Sequence, residues 1–164
     1  MNPIVSILMG SASDLPAMQP AVDTLAELEV PAEVRVVSAH RTPERAVELA
    51  EGAAARGVRV LICGAGGAAH LAGVVAAHTL LPVIGVPLNR SLGGFDALCA
   101  TVQMPAGVPV ATVSIAGARN AGLLAARILG AFDMKLLGAM RAFQDDLNAQ
   151  ATAKGAALRQ GRAE

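Results

Sequence analysis

Residues 58–80, VRVLICGAGGAAHLAGVVAAHTL, contain one complete unit of strand, loop and helix. The apolar run at 58–63 is short and nearly continuous, which is typical of a strand covered on both faces. A glycine-rich loop is predicted at 64–67, and the small residues from about Ala68 to Thr79 predict a helix. A buried strand followed by a loop and a helix is the repeating unit of a parallel α/β sheet.

The same unit recurs on both sides of this stretch. Asp14 and Thr42 are placed to cap two further helices, with a proline in the first turn of each. Pro20 is expected to delay the regular part of the first of these helices. Apolar runs predict the other strands at 4–9, 32–37, 82–87 and 108–115, and a last helix carries one apolar stripe of Leu136, Leu137, Met140, Phe143 and Leu147.

Strands that alternate with helices predict right-handed crossovers and one parallel sheet with helices on both faces. We therefore predict a three-layer, doubly wound α/β fold of the flavodoxin-like kind, with a C-terminal helical extension. A single domain is expected over residues 1–150. Periodicity is lost in residues 151–164, so this tail is expected to be frayed or packed on a neighbouring subunit.

Charge and aromatic content exclude several classes of partner. The 13 basic and 13 acidic residues balance, and the chain has three Phe and no Trp or Tyr. Neither attraction to a polyanion nor base stacking is indicated, so nucleic-acid binding is not expected. No apolar run reaches the roughly 18 residues of a membrane span, so no membrane association is expected. The N-terminal segment is typical of a strand and not of a signal peptide, which predicts a cytoplasmic location.

The sequence predicts neither a metal nor a cofactor. Cys63 and Cys99 lie far apart among apolar neighbours, which is typical of reduced, buried thiols. A zinc site made by Cys63, His40 and His70 would lack the usual ligand spacings. The glycine-rich loop superficially matches a dinucleotide fingerprint, but no acidic residue follows about 20 positions later to bind a ribose.

Polar residues follow the predicted strands at the edge of the sheet where ligands bind in this fold class. After the first strand, Ser11 and Ser13 offer hydroxyl groups beside a helix N-terminus, a combination that favours phosphate. Asp14 has two interpretations, as a ligand of ribose hydroxyls or only as the cap of its helix.

The stretch VVSAHRTPER, residues 36–45, supplies the candidate reactive groups. The planar fork of Arg41 suits a phosphate, and His40 is the candidate proton carrier because imidazole exchanges protons near neutral pH. His70, in the first turn after the glycine-rich loop, is expected to join it. His78 is interpreted as a satisfied or surface histidine.

Segments in unbroken order over about residues 4–132 resemble the class I PurE family, the N5-carboxyaminoimidazole ribonucleotide mutases of purine biosynthesis. They are MGSASD, VVSAHRTP, GAGGAAHLAG, LPVIGVP, VQMPAGVPVAT and NAGLLAARIL. Class II enzymes, which carboxylate aminoimidazole ribonucleotide with CO2, share the SAH element but lack the histidine of GGAAH. His70 therefore indicates class I.

The resemblance implies transfer of a carboxylate from the N5 amine of the nucleotide to C4 of its imidazole, with no metal or organic cofactor. His40 would act as general acid and then as general base, and His70 would help to place the carboxylate. The ribonucleotide would contact Ser11, Ser13, Asp14, Ser38, Arg41, Gly64, Ala65, Gly66, Gly67 and Leu71. The family also forms homo-octamers.

Two alternatives remain open. One is a direct carboxylase that uses CO2, and the other is a non-catalytic nucleotide or flavin-binding module. The second is disfavoured because no aromatic residue is placed to stack a flavin. The segment NRSLGG is one residue shorter than is usual in the family, which leaves open whether Arg90 adds a phosphate contact.

Overall fold

A computed structural model describes residues 2–160 and contains one five-stranded parallel sheet. The strands are β1 (Val5–Met9), β2 (Ala32–Val36), β3 (Val60–Gly66), β4 (Val83–Leu88) and β5 (Ala111–Thr112). Their spatial order is β2-β1-β3-β4-β5, so β1 lies between two strands that follow it in the chain. This is the flavodoxin-like order, and the predicted fold class is confirmed.

Helices cover both faces of the sheet. They are α1 (Leu15–Glu27), α2 (Pro43–Glu51), α3 (Leu71–Ala77), α4 (Phe95–Val102), α5 (Ala118–Gly130) and α6 (Met134–Gln160). One apolar core joins the sheet to α1, α5 and the start of α6, and a second joins it to α2 and α3. Strands β1 and β4 are buried along their length and β3 over residues 60–64, as their continuous apolar runs predict.

Several predicted boundaries are wrong. Gly64–Gly66 is the end of β3 and not a loop, because it pairs in register with Val86–Leu88 of β4. Strand β5 has two residues only, α2 ends at Glu51, and α3 begins at Leu71. Helix α1 begins at Leu15 and runs without a break through Pro20, so the expected delay of the regular helix does not occur. The ring of Pro20 is exposed and faces away from the core.

The C-terminal extension is a single helix over residues 134–160. It passes residue 150 without interruption, so residues 151–160 are helical, and the rest of the expected tail lies outside the described residues. Of the predicted apolar stripe, Leu136 and Met140 are buried in the core, whereas Leu137 and Leu147 are exposed. None of the helices within residues 2–160 has the length and hydrophobicity that crossing a membrane requires.

Helices α1 and α5 approach each other closely at Gly122, and this contact predicts that a larger residue there destabilises the protein. A Cβ atom at Gly122 would lie 3.1 Å from the carbonyl oxygen of Ala21. We expect Gly122→Ala to lower the free energy of unfolding by about 1 kcal/mol, because overpacking costs about 1–3 kcal/mol and helix propensity returns about 1 kcal/mol; urea denaturation at fixed protein concentration measures the difference. Gly138→Ala in α6 is the matched control, since in the described part of the chain nothing outside its own helix backbone and chain neighbours lies within 4 Å of its Cβ position. The free energy of unfolding of Gly138→Ala should rise by about 0.5–1 kcal/mol because of helix propensity. Equal changes in the two variants would contradict this packing argument.

Candidate active site

The carboxyl ends of the strands enclose a cavity of about 370 Å³. It lies where the chain order reverses across the sheet, at the position that this topology assigns to ligands. Most of the predicted site residues line it: Ser11, Ser13, Asp14, Ser38, His40, Arg41, Ala65, Gly66 and Leu71. Gly10, Ala39, Ala68 and Arg90 complete the lining.

Three predicted site residues lie outside this lining. Gly64 belongs to β3, and its missing side chain makes room for Met18 of α1, so its role here is packing. Gly67 adopts a positive φ of 63° that turns the chain out of the strand, a conformation that favours glycine. His70 stands beside the cavity and contacts it through His40.

The loop after β2 is held in shape by two hydroxyl groups. Thr42 Oγ1 donates to the carbonyl of Ser38 and accepts from its N–H, both at 3.0 Å. Ser38 Oγ in turn accepts the backbone N–H groups of His40 and Arg41, at 3.4 and 3.2 Å. Thr42 is the N-cap residue of α2 but makes no side-chain capping bond. Its hydroxyl stabilises the turn that carries His40 and Arg41.

His40 and His70 form a direct hydrogen bond. The Nε2 atom of His40 lies 2.8 Å from Nδ1 of His70, and the rings meet edge to face at 86° with centroids 4.8 Å apart. One proton is shared in this contact, because one nitrogen must donate and the other accept. Both rings are exposed, so they can exchange protons with a ligand or with solvent.

Arg41 carries a charge that no carboxylate neutralises within the described part of the chain. Its Nη2 donates to the carbonyl oxygen of Gly10 at 2.9 Å, and its Nε lies 3.5 Å from Ser38 Oγ. These partners are neutral and orient the guanidinium group along the cavity wall. A guanidinium group held in this way is a strong site for an anion.

Asp14 is only 5% exposed and is paired with Arg90. Arg90 donates from Nε to Asp14 Oδ1 at 3.0 Å and from Nη2 to the same oxygen, and it also reaches Ser13 Oγ at 2.9 Å. Asp14 makes no side-chain capping bond, so the interpretation that it only caps α1 is wrong. A 3-10 helix, Ala12–Asp14, precedes α1, and Ser11 caps it: Ser11 Oγ accepts the N–H of Ser13 at 3.3 Å.

Sequence reasoning named Arg90 as a possible phosphate contact but did not foresee its pairing with Asp14. The signal is a basic residue three or four positions after a predicted strand end, a pattern that Arg90 shares with Arg41. Ala39 also lines the cavity and is not predicted, because a methyl group carries no chemical signal. Neighbouring motif residues are the only indication for such positions.

The cysteines lie outside the cavity lining. Burial raises the pKa of the Cys63 thiol far above its ordinary value, so this thiol stays protonated. Cys99 is partly buried, and both thiols are free. Among residues 2–160, no group of three or more His, Cys, Asp or Glu side chains is arranged to hold a metal ion.

The comparisons with known proteins agree on one family. The model of the AIR carboxylase family matches residues 4–150. A protein named N5-carboxyaminoimidazole ribonucleotide mutase from Mycobacterium tuberculosis is 60% identical over 96% of this chain and 91% of its own length. One of the same name from Bacillus subtilis is 61% identical over 83% of this chain and 86% of its own length. The crystal structure of a PurE2 variant from Treponema denticola covers 94% of this chain and 96% of its own, with a TM-score of 0.83 and 30% identity.

Proposed function

The chain belongs to the AIR carboxylase family, and we infer that it catalyses the conversion of N5-carboxyaminoimidazole ribonucleotide to 4-carboxy-5-aminoimidazole ribonucleotide in purine biosynthesis. The observation that carries this inference is one cavity that joins an unneutralised guanidinium group, Arg41, to a hydrogen-bonded histidine pair. Such a cavity has an anion site at one end and a proton carrier beside it. A nucleotide that exchanges a proton during its reaction needs both.

We propose that the phosphate of the nucleotide binds to Arg41 and to the hydroxyls of Ser11 and Ser13. The serines lie in the 3-10 turn that leads into α1, where backbone N–H groups also favour an anion. In this arrangement, Asp14 accepts hydrogen bonds from hydroxyl groups of the ribose. Asp14 Oδ1 is bonded to Arg90, so its second oxygen serves this purpose.

His40 carries one proton through two steps in this proposal. First, the bond between the N5 nitrogen and the carboxylate carbon breaks, CO2 leaves, and protonated His40 gives its proton to the nitrogen that receives the electron pair. Second, C4 of the aminoimidazole attacks CO2, and His40 takes the proton that C4 loses. The starting protonation state returns, so the reaction is an isomerisation that consumes no proton or electron.

His70 directs the His40 ring and helps to place the carboxylate. Its Nδ1 lies 2.8 Å from His40 Nε2 and fixes the direction of that ring. The cavity wall includes the small apolar side chains of Ala39, Ala65 and Ala68. Small apolar walls suit the retention of CO2, since they offer no group for it to react with.

The purified protein should convert N5-carboxyaminoimidazole ribonucleotide to its C4 isomer without ATP and without added bicarbonate. Following the two nucleotides by their ultraviolet spectra or by chromatography measures this directly. A control reaction with aminoimidazole ribonucleotide and bicarbonate distinguishes a direct carboxylase. Dependence of the forward reaction on dissolved CO2 would overturn the mutase assignment.

We also propose that the chain works as a homo-octamer in the cytoplasm. Support comes from large apolar side chains that the single chain leaves exposed, among them Val36 on the edge strand β2 and Phe132 between α5 and α6. Exposed apolar side chains of this size are typical of subunit interfaces. Sedimentation equilibrium tests the assembly, and a mass corresponding to any number of subunits other than eight would contradict it.

A further inference from the structure

Arg90 lies in the same cavity as Arg41 but in a different electrostatic state. Arg41 donates to a neutral carbonyl group, whereas Arg90 is bonded through both Nε and Nη2 to the carboxylate of Asp14. The charge of Arg90 is therefore already balanced. Of the two guanidinium groups, Arg41 is the one free to hold the phosphate.

The side chain of Arg90 packs against Gly66, where no other side chain would leave room for it. Its stem crosses Gly66 at the end of β3, and a Cβ atom at Gly66 would overlap Cβ and Cγ of Arg90. Its guanidinium group then reaches over the sheet edge to Ser13 and Asp14, 77 and 76 residues away in the chain. Three strand ends, those of β1, β3 and β4, are joined by this one side chain.

The contacts of Arg90 leave one oxygen of Asp14 for a ligand. Both bonds from Arg90 go to Oδ1, and within residues 2–160 the Oδ2 atom accepts no hydrogen bond. A buried carboxylate without Arg90 would repel a phosphate bound nearby at Arg41. It would also be free to rotate, because no capping bond fixes it.

We propose that Arg90 is a positioning residue for the ribonucleotide, which acts through Asp14: it neutralises this carboxylate and directs Oδ2 toward the ribose. This inference rests on the proposed function. Arg90 binds no part of the substrate itself, and its removal weakens binding of the nucleotide without changing the proton transfer at His40.

Arg90→Met should raise KM for N5-carboxyaminoimidazole ribonucleotide by roughly 10- to 30-fold and leave kcat within about threefold. Arg90→Lys keeps the charge with fewer donors and should recover part of the loss. Arg45→Met is the matched control, because Arg45 is an exposed arginine that pairs with Glu48 on α2 and does not line the cavity. Its KM should equal that of the wild type.

A double-mutant cycle with Asp14→Asn distinguishes action through Asp14 from direct contact with the substrate. In the Asp14→Asn background, Arg90→Met should change KM by less than about threefold. If the increases in KM of the two single variants multiply in the double variant, Arg90 contacts the nucleotide directly and the proposal is overturned. An unchanged KM in Arg90→Met would overturn it as well. If Arg90→Met does not fold, Arg90→Gln, which removes the charge but keeps a polar side chain, enters the cycle in its place. An inactive wild type would reject the proposed function, whereas an active wild type with an unaffected Arg90 variant rejects only this inference.

Discussion

His40→Asn is expected to lower kcat for the isomerisation by about three orders of magnitude while nucleotide binding changes by less than about threefold. Asparagine keeps a polar side chain of similar reach but can neither accept nor release a proton near neutral pH. Both steps of the proposed reaction need that proton, first for the leaving nitrogen and then from C4. Steady-state rates and calorimetric titration with the product nucleotide measure the two quantities separately.

His78→Asn is the control for this experiment. His78 is also exposed and is also bonded, with its Nδ1 3.2 Å from Glu51 Oε1, but it lies outside the cavity lining. Its replacement should leave both kcat and binding at their wild-type values. Normal turnover in His40→Asn would show that another group carries the proton, and equal losses in the two variants would point to general damage to the protein.

The contact between His40 and His70 shows which part of the site can be predicted from the sequence and which part cannot. Strand periodicity was sufficient to place both histidines at the carboxyl edge of the sheet, since parallel strands end on the same side. Their distance depends on strand order. Because β1 lies between β2 and β3, the two loops must meet above β1, and no local pattern in either segment encodes that arrangement.

The end of β3 is a case in which local propensity gave the wrong structure. Gly64 and Gly66 are poor strand formers, so the sequence predicts a loop. The structure shows a strand because β4 supplies a hydrogen-bonding partner for these residues, pairing Gly64 with Val86 and Gly66 with Leu88. The absence of side chains has a packing reason there, since Met18 and Arg90 occupy the space. Long-range contacts of this kind are not visible in single-sequence periodicity.

Arg41→Met is expected to raise KM for the nucleotide by about 100-fold or more, with a much smaller change in kcat. Two charge-assisted hydrogen bonds from a guanidinium fork contribute roughly 3 kcal/mol, and about 1.4 kcal/mol corresponds to a tenfold change in affinity. Arg41→Lys should recover only part of this, because an ammonium group cannot bind two phosphate oxygens in the same plane.

The decisive comparison for Arg41 uses the nucleoside that lacks the 5′-phosphate. If Arg41 holds the phosphate, the wild type should lose at least as much affinity for the nucleoside product as Arg41→Met loses for the nucleotide, since Ser11 and Ser13 also contact the phosphate in the proposed complex. The two changes together should be far from multiplicative, since each removes the same interaction. Affinities from competition titrations complete this cycle. Losses that multiply would place the phosphate elsewhere in the cavity, with the hydroxyl groups of Ser11 and Ser13 as the remaining candidates on its wall.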